Sequence, residues 1–165
     1  MIYRLATLED LNNVWDKDIN KHPGDNRYIR WKKEYIDYNI NDEAKTFVAV
    51  NEGNDVIGQI TLILKTNVKA VVNKIKLCDG KSVCNMNAFR CDKEYEGQGH
   101  ISKLVKLAES YAKDKGYTYI TIGSEARETR NLSIYFHFGY TEYLMNELDD
   151  SEADSPLVLY YGKKL

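Results

Sequence analysis

The stretch from Val83 to Gly116 constrains the fold more than any other. Val83-Cys84-Asn85-Met86-Asn87-Ala88-Phe89-Arg90-Cys91 reads as a strand. Asp92-Lys93-Glu94-Tyr95-Glu96-Gly97-Gln98-Gly99 then reads as a loop. Ile101, Leu104, Val105, Leu107, Ala108, Tyr111 and Ala112 follow at helical spacing, and Gly116 ends the helix. A strand, a glycine loop and a helix in that order leave backbone N–H groups at the positive end of the helix. Such an end suits a phosphate or pyrophosphate. Gly97 and Gly99 carry no side chain, so an anion can approach the backbone. Two glycines before a helix also make ordinary tight turns, so the local pattern leaves both readings open.

The flanking segments supply the rest of an α/β domain. Ile2–Ala6 is expected as a strand. Thr7 and Asp10 have capping-box spacing, and Leu8, Leu11, Val14 and Trp15 give the next helix an apolar face. His22-Pro23-Gly24-Asp25 breaks it. Asp25 or Asn26 caps a second helix through about Tyr38, with an aromatic stripe at Tyr28, Trp31, Tyr35 and Tyr38. That stripe fits either a core or the wall of a substrate cleft. Thr46–Asn51 and Val56–Leu64 read as a hairpin around Glu52-Gly53-Asn54-Asp55. Thr66–Leu77 reads as a strand or an irregular extension, and Asp79-Gly80 as a hairpin turn into Val83–Cys91. Tyr117–Ile122 is expected as a strand, Asn131–Phe138 as a short helix and Tyr140–Met145 as a strand. Asn146–Ser155 is an acidic loop, and Pro156–Tyr161 a last strand. No repeat or composition break divides the chain, so one domain over 1–165 is expected. A mixed sheet with helices on both faces accommodates this order.

Composition narrows the function. The 165 residues carry a formal net charge of −2, with no long basic run. That argues against nucleic-acid binding as the main task. Three cysteines, Cys78, Cys84 and Cys91, form no paired framework or zinc-ligand spacing, and His22, His100 and His137 are scattered. No metal site is expected. No apolar run is long enough to cross a bilayer, and the start has no signal-peptide core. A cytoplasmic location and no membrane partner are expected.

Over essentially its whole length, and best from Asn87 to Tyr140, the chain resembles the GCN5-related N-acetyltransferase (GNAT) superfamily. In that family an Arg/Gln-x-x-Gly-x-Gly/Ala loop follows a strand ending in an Asp-Pro-Glu-Tyr-like turn. Here Asp92-Lys93-Glu94-Tyr95 occupies the turn and Glu96-Gly97-Gln98-Gly99-His100-Ile101 the loop. A second landmark, a short helix carrying Leu-Tyr and closing on Gly-Phe, reads Ile134-Tyr135-Phe136-His137-Phe138-Gly139-Tyr140. Two positions depart from the pattern: Glu96 stands where Arg or Gln is favoured, and Ile101 where Gly or Ala is usual. Asn131 is displaced from the family's asparagine position, which Glu128 holds.

The resemblance implies a GNAT-like, mostly antiparallel central sheet and the use of acetyl-CoA as cosubstrate. It assigns the pantetheine arm to the backbones of Phe89, Arg90 and Cys91. It assigns the pyrophosphate to amides of Gln98, Gly99, His100, Ile101, Ser102 and Lys103, and places Glu96, Gly97, Asn131 and Tyr135 at the cofactor as well. Tyr135 is implied as the acid that protonates the leaving thiolate. Glu125 is the named candidate base; Asn87 or a water near Asn85 remains open. The expected activity is transfer of an acetyl group to a primary amine of a small molecule, by direct attack in a ternary complex. The alternative is a catalytically weak or inactive CoA-binding or partner-binding module. Dimers are frequent in the family, so a homodimer is among the expected assemblies.

Overall fold

The computed structural model describes residues 1–165. Its seven strands are β1 (Ile2–Leu5), β2 (Ala44–Val50), β3 (Val56–Ile63), β4 (Val83–Cys91), β5 (Tyr119–Glu125), β6 (Glu142–Leu148) and β7 (Leu157–Lys164). Its four helices are α1 (Leu8–Lys21), α2 (Asn26–Ile40), α3 (His100–Asp114) and α4 (Thr129–His137). Strand order is β1-β2-β3-β4-β5-β7-β6. The pairs β1–β2, β2–β3, β5–β7 and β6–β7 are antiparallel, whereas β4 and β5 run parallel from Val83↔Tyr119 to Met86↔Ile122. The chain divides into two units, one of residues 1–63 and 88–108, the other of residues 64–87 and 109–165. Strand β4 contributes its last residues to the first and its first residues to the second.

In the first unit, α1 begins as the sequence predicts. Thr7 Oγ1 accepts the Asp10 N–H, and the Asp10 carboxylate accepts the Thr7 N–H at 2.7 Å. Leu11, Val14 and Trp15 are buried, whereas Leu8 is exposed. Leu8 is the first helical residue, ahead of the turn whose stripe meets the sheet, so it drops out of the expected apolar face. Asp25 caps α2 by accepting the Arg27 N–H. Strand pleating then separates two faces. Val48 and Val50 pack with Val14 of α1 and with Val56. On the other face, a Cβ on Gly58 would lie 3.8 Å from Leu104 of α3 and 3.9 Å from the Ala49 Cβ. Helices therefore cover both faces of this part of the sheet.

The second unit corrects several boundaries. Thr66–Leu77 forms no strand; its amides close turns such as Val71 N–H to Val68 C=O and Leu77 N–H to Lys74 C=O. The turn at Asp79-Gly80 is consequently not a hairpin. The Asp79 carboxylate instead accepts the amides of Lys81, Ser82 and Val83 and the Ser82 hydroxyl. Partial burial alone would raise its pKa, but these bonds outweigh it and hold the carboxyl well below the usual range. Strand β5 starts at Tyr119 rather than Tyr117, whose hydroxyl donates to the Leu64 carbonyl. Strand β6 runs on through Glu147 to Leu148, so the acidic loop is shorter than expected. Across β5 and β7, the Tyr160 ring lies over Gly123 and the Tyr119 ring over Gly162. An added Cβ would come within 2.5 Å of Tyr160 Cε1 and 2.1 Å of Tyr119 Oη respectively.

Candidate active site

The glycine loop is built locally. Lys93–Tyr95 is a single 3-10 turn, and Gln98 Nε2 folds back onto the Glu94 carbonyl at 2.8 Å. Gly97 and Gly99 adopt φ +74 and +82, a left-handed backbone that other residues reach only with strain. Nothing lies within 4 Å of where a Cβ on either would stand. Gly99 C=O accepts the Lys103 N–H, so the helix starts at once and its first-turn amides lack helical acceptors. Such amides fit an anionic phosphate group. The His100 side chain is buried, with Nδ1 2.7 Å from the Tyr3 hydroxyl. The Lys103 ammonium lies 5.0 Å above the Tyr3 ring. Glu96 is exposed at the start of the loop.

Strand β4 changes character at Ala88, which adopts φ 54. Its register with β5 runs only as far as Met86. A left-handed residue inside a strand makes a bulge, and bulges re-aim the groups that follow them. Phe89, Arg90 and Cys91 follow this one. Strand β4 then joins the loop through Asp92, whose N–H donates to Ile57 C=O at 2.8 Å. The structure thus brings Phe89–Cys91 and Glu96–Lys103 together within the first unit.

A polar group stands on the α1 and α2 side of this strand. Arg90 has its guanidinium 4.3 Å over Trp15 and its Nε 2.5 Å from Asp18 Oδ2. That oxygen, although at ion-pair distance, has no aligned hydrogen bond, and neither does the buried Arg90 Nη1. Gln59, only 1% exposed, has no partner for either side-chain atom. Gln59 is opposite Val48, which packs on Val14 of α1, so its side chain stands on the same α1 face. Around this group stand the aromatic residues of α2. Tyr35 lies 5.2 Å from Trp15, Tyr28 stacks on His22 at 4.1 Å, and Trp31 meets Tyr28 edge-on at 5.0 Å. Burial pushes the Tyr35 hydroxyl up to about 12, against the pull of Arg90. Sequence reading singled out Arg90 only for its backbone and passed over Asp18 and Gln59. The available signal was a glutamine within the apolar run Val56–Leu64 and an aspartate on the Leu11, Val14, Trp15 stripe.

The remaining predicted residues lie in the second unit. Tyr135 is in α4 and 7% exposed, and burial pushes its hydroxyl up to about 12. It is anchored from behind: the Tyr140 N–H donates to Tyr135 C=O, and Tyr140 Oη donates to Glu109, which also holds Lys163 at 2.7 Å. Asn131 lies inside α4 and is exposed, whereas Glu128 is the N-cap and makes no side-chain cap bond. Glu125 is the last residue of β5 rather than beyond it, and pairs with Arg127 at 2.5 Å. Arg127 also pairs with Asp154 of the acidic loop, and Glu147 pairs with Lys74 at 2.6 Å. No group of three or more His, Cys, Asp or Glu is arranged to hold a metal ion. No helix is long and apolar enough to cross a membrane.

Solved structures share this architecture. Ribosomal-protein-alanine N-acetyltransferase from Brucella melitensis matches over 100% of both chains, with TM-score 0.72 and 15% identity. An N-acetyltransferase from Staphylococcus aureus Mu50 matches over 99% of this chain and 97% of its own, with TM-score 0.71 and 19% identity. A variant of spermidine N-acetyltransferase from Vibrio cholerae matches over 99% and 95%, with TM-score 0.68 and 12% identity. At these identities the likeness shows the fold. No curated protein matches the chain. The model of the acetyltransferase (GNAT) family matches residues 8–140, and the chain belongs to that family. Acetyl transfer is that family's activity class.

Proposed function

We propose that the protein transfers an acetyl group from acetyl-CoA to a primary amine of a small molecule, by direct attack within a ternary complex. The observation that carries this reading is the bulged end of β4 running into a loop whose two left-handed glycines open directly onto α3. Backbone groups of Phe89, Arg90 and Cys91 hold the pantetheine arm. Amides from Gln98 through Lys103 hold the pyrophosphate, where the helix terminus supplies the charge. Asn131 and Tyr135 complete the cofactor contacts. With its pKa near 12, Tyr135 stays protonated and donates its hydroxyl to the sulfur as the C–S bond breaks. Glu125, released from Arg127, takes the proton from the attacking amine.

Calorimetric titration with acetyl-CoA and CoA tests the cofactor half, and thiol release over an amine panel tests the chemistry. Saturable binding is expected in the wild type and in Tyr135→Phe. Turnover in the variant is expected to fall about 100-fold, in the range for losing one general acid. Absence of binding at millimolar acetyl-CoA would overturn the reading. Glu96, exposed at the loop, would then have spoiled the anion site, which favours a partner-binding module.

A further inference from the structure

We propose that the group formed by Arg90, Asp18 and Gln59 binds an amine that also carries a carboxylate, an α-amino acid, and that this is the class of acceptor. The inference rests on the proposed acetyl transfer only for the word acceptor; the binding site stands on its own geometry. Six buried side-chain polar atoms in the chain lack a hydrogen-bond partner, and four of them belong to these three residues. They are Arg90 Nη1, Asp18 Oδ2, and the Nε2 and Oε1 of Gln59. Asp18 Oδ2 has the Arg90 Nε ion pair at 2.5 Å, so the atoms without any partner are Arg90 Nη1 and both side-chain atoms of Gln59. Buried polar groups are ordinarily satisfied, so three orphans on neighbouring strands, facing α1, call for a function.

Their chemistry is specific. Arg90 Nη1 is a guanidinium donor, and a carboxylate is its best-matched acceptor. Asp18 Oδ2, already beside Arg90 Nε at 2.5 Å, keeps a further lone pair that suits an ammonium N–H. Gln59 offers one group of each kind. An α-amino acid presents the same pair, ammonium and carboxylate, side by side. Arg90 is not sealed away, since its side chain is 28% exposed. It also belongs to the bulged segment of β4, so whatever its side chain holds lies beside the backbone proposed to hold the thioester arm.

Charge balance argues against a polyamine here. Asp18 faces Arg90, and Asp25 is held by Arg27, which lies 5.5 Å over Trp31. Lys17 and Lys21 on α1 both reach Asp92 at 3.5 Å, and Lys32 on α2 holds Asp16. Each acid near the aromatic group thus has a cation beside it. An amino acid brings a carboxylate for Arg90 along with an ammonium for Asp18, so it exchanges one ion pair for two. A polycation brings no anion to take Arg90 and leaves Asp18 compensated.

The chain provides its own reporter. It contains two tryptophans, and both, Trp15 and Trp31, stand in this group. Tryptophan emission of the intact protein, without acetyl-CoA, would be titrated with the twenty coded L-amino acids. Phenethylamine, tyramine, cadaverine, putrescine and spermidine serve as amines lacking the carboxylate. The expected result is a saturable change with at least one amino acid, at least tenfold tighter than with its decarboxylated partner. Arg90→Lys keeps the charge but loses the planar fork, and should reduce that discrimination to less than twofold. Because removing Arg90 alone strands Asp18, the double variant Asp18→Asn with Arg90→Gln is the second arm and should bind none of the panel. Lack of any saturable response to amino acids overturns the proposal, as does equal or tighter binding of the amines. Amino-acid binding without acetyl-CoA binding in calorimetry would sink the enzyme reading and keep this site.

Discussion

Replacing Gln59 by methionine should stabilise the protein while weakening its acceptor site. Gln59 is fully buried in β3 and neither atom of its carboxamide is hydrogen-bonded. A buried polar group without a partner costs about 1–3 kcal/mol. Two such atoms would double that, but buried water commonly satisfies part of the demand, so we take about 1–2 kcal/mol for the whole amide. Methionine has similar length and volume and adapts its thioether to irregular space, so repacking should cost well under the gain, below about 1 kcal/mol. For a chain of 165 residues, 1 kcal/mol moves Tm by roughly 2–4 °C. Net of repacking, up to about 2 kcal/mol remains, so a rise in Tm of up to about 8 °C is expected in calorimetry, with a matching increase in the urea midpoint at unchanged slope. Gln59→Leu, which has a different shape, should gain less. The same Gln59→Met protein should bind its amino acid at least fivefold more weakly by tryptophan emission. A loss of more than about 1 kcal/mol on Gln59→Met would refute the reasoning, because it would mean the amide is already well bonded.

Further perturbations address other parts of the argument. Gly162→Ala would put a Cβ 2.1 Å from Tyr119 Oη and 2.3 Å from its Cε1. Overpacking of this kind costs about 1–3 kcal/mol, and Tyr119→Leu in the same chain should recover part of it in a double-mutant cycle of urea melts. Gly99→Ala meets no neighbour within 4 Å, so its cost is the strain of φ +82 alone, about 1–2 kcal/mol. It should fold, with acetyl-CoA affinity reduced in calorimetry. Asp79→Ala removes the acceptor of three amides; discounted for partial exposure, about 1 kcal/mol is expected at neutral pH. The Asp79 pKa is lowered on folding, so its stabilisation is complete above the unfolded value and fades as pH falls through the folded one. Wild type and variant should thus converge only below about pH 4 in acid titrations. Finally, with Tyr135 near 12, the pH–rate profile should show no falling limb below about pH 11 from that residue. A limb between pH 8 and 9 that vanishes in Tyr135→Phe would contradict its assigned state.

What could be read from the sequence follows from how local each cause is. The Thr7–Asp10 box, the Asp25 cap and the glycine loop depend on residues within four positions of each other, and all three stand as expected. Thr66–Leu77 misled because Val68, Ala70 and Val72 alternate as a strand would. What buries there is Val68, Val71 and Leu77, at intervals of three and six rather than two, with the backbone closing turns instead of a ladder. Strand β5 starts late because Tyr117 is drawn inward to the Leu64 carbonyl, a contact across 53 residues that no window of sequence contains.

Arg90 shows the same division within one residue. Its backbone could be placed because a motif a few residues away fixes where the loop and helix begin. Its side chain could not, since Asp18 and Trp15 come from α1 and Gln59 from β3, gathered only when the sheet forms. Local rules favour polar groups at turns and surfaces, so they would send Asp18 and Gln59 outward. The fold holds them inside, pairs Asp18 with Arg90, and leaves Arg90 Nη1 and both side-chain atoms of Gln59 unbonded, against the usual pattern of a protein core. A conflict between local and global preference marks functional sites more often than errors of folding. On that argument, the most informative residues of this chain are those whose positions its own local patterns fail to explain.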